Sequence, residues 1–228
     1  MSVRSRVAFA TGVAGLSGAT LMFSGRFDGS IALALLFAFA ARTAVAASVL
    51  DAGPVLAGRA ERSLAQQARF APTWALVVVA GAVRAASGSI ADVRGAHAVA
   101  GLAIARGPAL TVAGSWLALA AGAVALVSST SLSTETASAS GTAAIVRPPV
   151  ALCRLEAGGV IALAVLLVTL FAGPQVTNGT DAAWWIGALA VLLAFAWRAR
   201  DMELQSPEVI AAVLAAAGAA FVIAGGAP

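Results

Sequence analysis

Apolar residues along this chain arrive in blocks of about 17–23, separated by short stretches that carry arginine, acid, glycine or proline. At 1.5 Å per residue a block of that length crosses the roughly 30 Å hydrocarbon layer of a bilayer as one helix. The weak alternation of a membrane β-barrel is absent. Seven spans are predicted, at about 7–24, 29–50, 70–88, 108–128, 150–172, 182–198 and 207–225. The third is interrupted by Arg84. The stretch from Ala96 to Ala105 is apolar but too short to cross, which predicts an interfacial or re-entrant piece. The pattern therefore gives an all-α, polytopic transmembrane helical bundle of about seven spans, forming a single integral membrane domain over residues 1–228. The first block follows Arg4 and Arg6 and is read as a retained helix, because no small-residue cleavage site leads into a soluble domain.

Composition agrees with this pattern. Hydrophobic residues make up 61% of the 228 positions and charged residues 11%, too few to solvate a globular surface. The net charge of +4 rests on arginine alone, since lysine does not occur. Its spread over many loops leaves no footprint for nucleic acid. One cysteine, Cys153, cannot form an internal disulfide, and one histidine, His97, cannot build a metal site by itself; both are read as structural.

Charge also orients the bundle. With the N-terminus in the cytoplasm, the inside segments hold Arg4, Arg6, Arg59, Arg62, Arg69, Arg147, Arg154, Arg198 and Arg200, against Arg26, Arg84, Arg94 and Arg106 outside. That bias predicts a cytoplasmic N-terminus for the multi-pass chain. Trp74, Trp184 and Trp185 at span starts and Trp197 at a span end are expected as interfacial anchors, and the mid-span Trp116 as a packing residue. Runs of small residues at Gly114–Ala123 and Ala211–Ala220 predict close helix–helix approach.

Polar groups inside the apolar blocks are where chemistry would reside. In "FAARTAVAASVLDAGP" (Phe39 to Pro54), Arg42 stands inside the second span. A cation there costs at least ~2.5–3.5 kcal/mol unless it finds an acceptor. Asp51 cannot serve, because nine residues at about 100° each put the two on opposite faces of one helix, roughly 13 Å apart along its axis. Arg42 is therefore expected to pair with another helix or another subunit, either as a member of an ion or proton path or as a purely structural element. Asp51 is placed at the cytoplasmic end of its span beside a Gly-Pro turn. The polar stretch from Val127 to Gly159 is read as a loop holding Glu135 and Arg147, with Arg154 and Glu156 near the next helix start; it is either a docking surface or a solvated linker. No carboxylate pair at catalytic spacing, phosphate cradle or Ser/His/Asp set is present, so covalent chemistry by this chain alone is not expected.

The order of these features resembles a known family. "FDGSIALALLFAFAARTAVAASVLDAGPVLAGRAERSLAQQARFAPTWALVVV" runs from Phe27 to Val79. It is followed by "ALVSSTSLSTETAS" (Ala125 to Ser138), "VTLFAGPQVTNGTDAAWW" (Val168 to Trp185) and "FAWRARDMELQSPEV" (Phe195 to Val209). This succession is similar to that of the complex I membrane subunit that seats the peripheral redox arm, especially in membrane-bound nickel-iron hydrogenases and formate hydrogenlyases. There a helix runs into "ALAR…ALDTGS.FGG.G.SRE" and an "AEP" opens the next. Asp28, Arg42, Asp51, Gly53, Gly58, Arg62 and Pro72 fall on matching positions, and Ala71 stands where the "AEP" glutamate would be. The resemblance is to a shortened, divergent member.

It implies a non-catalytic, multi-pass membrane-arm subunit of the cell inner (plasma) membrane, at most part of an ion-translocating oxidoreductase complex, linking a peripheral hydrophilic redox module to antiporter-like membrane subunits. Iron–sulfur and nickel-iron centres would then sit in partner subunits, with no cofactor or metal held by this chain. The proton- or ion-path candidates are Arg42, Asp51, Glu135 and Glu156. The partner-docking candidates are Arg59, Glu61, Arg62, Arg69, Arg147, Arg154, Arg198, Arg200, Asp201 and Glu203. A structural scaffold of such a complex with its proton path lost, and a small stand-alone permease around Arg42, are the alternatives.

Overall fold

The computed structural model describes residues 3–24, 29–50, 53–93, 108–128, 150–171 and 206–225, together with three helical positions at 187, 190 and 194. Six long helices result: α1 (Val3–Phe23), α2 (Ile31–Ser48), α3 (Pro54–Arg84), α4 (Ala109–Val127), α5 (Val150–Phe171) and α6 (Pro207–Ala224). The architecture is an all-α bundle, and all of these helices except α3 are long and apolar enough to cross a membrane. The span expected at 182–198, the piece at 96–105 and the loop at 129–149 lie outside the described residues, apart from the three helical positions in the first.

Local chemistry explains where the helices start. Ser30 caps α2, its Oγ accepting from the Leu33 amide at 3.1 Å. Gly53, at φ +109°, turns the chain into α3, whose first residue is Pro54; that backbone conformation suits glycine, and proline at the first helical position forfeits an amide with no helical acceptor. α6 likewise opens on Pro207, with Glu208 in its first turn.

α3 departs from the sequence expectation. A cytoplasmic loop was expected before a span starting at about residue 70, but the helix is continuous from Pro54 for 31 residues. The physical reason lies in "PVLAGRAERSLAQQARF", which is rich in strong helix formers and sets Leu56, Ala60, Ser63, Gln67 and Phe70 on one buried face at three- and four-residue intervals. The charged residues take the other face.

Helix α3 runs antiparallel to α2. Thr43 Oγ1 donates to Gln67 Oε1 at 3.0 Å, Trp74 stacks edge-on against Phe39 with centroids 6.4 Å apart, and beyond α3 the Ile31 amide bonds the Gly88 carbonyl at 2.8 Å. From Gln67 to Pro54 is roughly 20 Å of helix, and from Thr43 to Ser48 roughly 8 Å, so α3 overshoots the end of α2 by roughly 12 Å. This is the basic end of the bundle, where α1 and α5 also begin with Arg4, Arg6 and Arg154 exposed.

Small residues set the closest crossings. Gly12, Gly15 and Ala19 of α1 are buried, and a methyl group on Gly15 would lie 2.9 Å from the Phe37 carbonyl of α2. At the α4–α6 crossing a methyl on Gly114 would sit 2.6 Å from the Gly218 carbonyl, and one on Gly218 2.7 Å from the Ala118 amide. Backbone faces backbone there, so no side chain can move aside. The aliphatic core joins Val77 and Ala80 of α3, Ala118 and Ala121 of α4, Leu163 to Leu170 of α5 and Ala215 of α6.

Two tryptophans depart from expectation. Trp74 is 1% exposed and packs inside the bundle, where its ring fills the space beside Phe39, instead of anchoring at an interface. Trp116, expected to pack within the bundle, is 52% exposed on the outward side of α4. Trp184, Trp185, Trp197 and His97 lie outside the described residues.

Gly114→Val is expected to lower the detergent melting temperature and destabilise the fold by about 1–3 kcal/mol, the usual cost of overpacking. Gly58→Ala, at a helical position with nothing within 4 Å, is expected to leave it unchanged or slightly raised. Circular dichroism melts of the two variants make the comparison.

Candidate functional site

Among the described residues, two arginines and one carboxylate are buried inside the bundle: Arg42 at 3% exposure, Arg84 at 1% and Glu156 at 4%. They form two separate polar clusters.

Arg42 lies on the face of α2 that also buries Ala34, Ala38, Ala41 and Val45. It meets α5 at a glycine: a methyl group on Gly159 would come within 2.5 Å of Arg42 Cγ and 3.6 Å of the Ala38 carbonyl. Glu156, one turn before Gly159 on the same helix, supplies the carboxylate charge that acts on Arg42 across the α2–α5 interface. The spacing of three residues places both on the side of α5 that faces α2. Arg42 Nε makes no hydrogen bond among the described residues. Beside it on α2, Thr43 bonds Gln67 of α3, whose Nε2 donates to Ser63 Oγ at 3.3 Å. The apolar floor of this cluster, at the basic end, is Val45, Val49, Leu56, Leu152 and Leu155.

The second cluster lies at the opposite end. Arg84, in the last turn of α3, donates from a terminal guanidinium nitrogen to Ser115 Oγ, and to the Thr111 carbonyl at 3.4 Å. Ser115 Oγ donates in turn to the Thr111 carbonyl at 2.7 Å. Cations near a helix C-terminus also interact favourably with its carbonyl dipoles. The sequence reading placed Arg84 among outside arginines and gave it no site. The available signal was its position on the stripe of Val77, Ala80 and Gly81, all of which are buried.

Of the ion-path candidates, Arg42 and Glu156 lie on facing sides of α2 and α5, where the carboxylate charge is felt by the guanidinium without an ion pair between them, while Asp51 and Glu135 lie outside the described residues. Of the docking candidates, Arg59 is half-buried and Glu61, Arg62 and Arg69 are exposed along α3; Arg154 is exposed on the first turns of α5. Arg147, Arg198, Arg200, Asp201 and Glu203 lie outside the described residues.

The chemistry open to this arrangement is limited by its groups. A guanidinium keeps its proton at any accessible pH, so Arg42 is a fixed charge and not a relay. Among the described residues, Glu156 is the one buried acid; Glu61, Asp92 and Glu208 lie on exposed or half-exposed positions. Among the same residues, no group of three His, Cys, Asp or Glu stands close enough to hold a metal ion. No family model, curated protein or solved structure matches the chain.

Gly159→Val is expected to push the Arg42 stem out of its slot and reduce the yield of folded protein severalfold by gel filtration, because α2 and α5 separate. Ser115→Ala removes one of the hydrogen bonds to Arg84 and is expected to cost about 1.5–3 kcal/mol in denaturant titration, the usual worth of a hydrogen bond to a charged group.

Proposed function

We propose that this chain is a non-catalytic subunit of a larger membrane assembly of the complex I-like or hydrogenase-like kind, joining a peripheral redox module to ion-translocating membrane subunits. The observation that carries the reading is the overshoot of α3. A bundle that is otherwise apolar extends one charged helix beyond its basic end, with Arg59, Glu61 and Arg62 on its outer side, where a hydrophilic protein would dock. The order of sequence features from Phe27 to Val209 supports the same reading. By that resemblance the chain belongs to a cell inner membrane and leaves iron–sulfur and nickel-iron chemistry to its partners.

Within this reading, the burial of Arg42 favours a scaffold over a conductor. The charge is enclosed between α2 and α5, with its stem against Gly159, and it cannot pass on a proton.

Purification of the tagged chain from native membranes in mild detergent tests the assembly. Hydrophilic redox subunits and large antiporter-like proteins are expected to co-purify, and their absence refutes the proposal. Replacing both charges, as Arg42→Met with Glu156→Leu, separates the two roles: intact assembly with unchanged ion translocation supports the scaffold, and intact assembly with translocation lost supports the conductor.

A further inference from the structure

The outward stripe of α3 carries Arg62, Ala65, Arg69, Pro72, Ala75 and Val79, all exposed. Its middle lies within the length of α2, a helix apolar enough to cross a membrane. Gln67 is tied to Thr43 and Trp74 to Phe39, so Arg69, between them on α3, is level with about residues 41–42 of α2. Its backbone is therefore as deep as that of Arg42, roughly 9 Å from the end of α2. Unlike Arg42, it has no helix of the described bundle over it. Arg69 makes no hydrogen bond or ion pair among the described residues.

An exposed guanidinium at that depth is costly in hydrocarbon, and such charges normally face a partner or water. The backbone beside it is also incomplete. Pro72 has no amide to give the Ala68 carbonyl, the acceptor one turn back, and lipid offers no substitute donor. Ala65, Ala68 and Ala75 keep the stripe shallow enough for another backbone to approach.

We propose that this stripe is the contact surface for a transmembrane helix of a different subunit that carries an Asp or Glu within its apolar stretch. The inference rests on the assembly reading above and adds to it a face and a partner chemistry. The chain's own remaining apolar block, from Ala182 to Trp197, contains no acid and no other side-chain oxygen, so within its apolar length it offers Arg69 no carboxylate. A second copy packed through this face about an axis along the membrane normal would set Arg69 against Arg69, a repulsive arrangement. A carboxylate from another subunit answers the charge, and a polar donor beside it would answer the Ala68 carbonyl.

The test uses the full-length chain in native membranes, with a photo-crosslinking residue at position 65 or 68 and a control at position 213 on the outward side of α6. The expected result is a crosslink from 65 and 68, but not 213, to a peptide of another integral membrane protein with an Asp or Glu inside an apolar stretch. Arg69→Asp is expected to reduce that crosslink about tenfold or more, and replacing the partner's acid by Arg is expected to restore it. Arg69→Gln, which removes the charge without reversing it, is expected to give a similar loss at an unchanged membrane level of the chain. Adducts to lipid alone would mean that Arg69 snorkels to the headgroups, and would overturn the proposal. Adducts to a second copy or to another part of this chain, or a crosslink insensitive to Arg69→Asp, would overturn it equally. Co-purification of other membrane subunits without a crosslink from 65 or 68 removes this face while leaving the assembly reading standing; the loss of all co-purifying proteins removes both.

Discussion

Enclosing a guanidinium between two membrane-spanning helices sets the terms for this bundle. Arg42 is bulky and permanently charged, and it occupies the same face of α2 as a row of alanines. Only a helix that presents both an acid and a gap can lie against it. α5 provides the acid with Glu156 and the gap with Gly159, one turn apart. The glycine gives the arginine stem room, and the carboxylate is a nearby opposite charge in an interior where an isolated cation is costly. The pairing of α2 with α5 then limits where α1 can pack, since a methyl group on Gly12 of α1 would meet both Ala44 of α2 and Leu155 of α5.

The other half of the bundle uses the same two devices apart. α4 and α6 cross at Gly114 and Gly218, where backbones nearly touch and no charge is involved. Arg84 then joins α3 to α4 by hydrogen bonds to Ser115 and Thr111. In water, apolar burial would drive these contacts; in lipid, close packing and satisfied polar groups take over that role. This accounts for the abundance of glycine, alanine and serine at the helix contacts.

The fold was largely legible in the sequence because spanning length is a strong signal: the ends of α1, α2, α4, α5 and α6 fall within a few residues of the apolar blocks. α3 was not, since hydropathy reports only where a helix is apolar. Its polar first half is specified by the amphipathic spacing of Leu56, Ala60, Ser63, Gln67 and Phe70. At the site, helical geometry excluded Asp51 as the partner of Arg42 on the same helix. The sequence contained no rule to choose Glu156, because which two helices meet is a tertiary fact. Trp74 was misplaced for a related reason: a tryptophan near a span start reads as an interfacial anchor, but α3 begins much earlier, and residue 74 lies within the bundle.

Arg42 and Glu156 are expected to stabilise the bundle through each other, by charge attraction across the α2–α5 interface. A double-mutant cycle with Arg42→Met, Glu156→Gln and the combined variant, each followed by reversible denaturant unfolding in mixed micelles, measures that coupling directly. Each single change is expected to destabilise the protein, and the pair together is expected to cost less than their sum, with a coupling energy of about 1–3 kcal/mol. Strictly additive costs would contradict it.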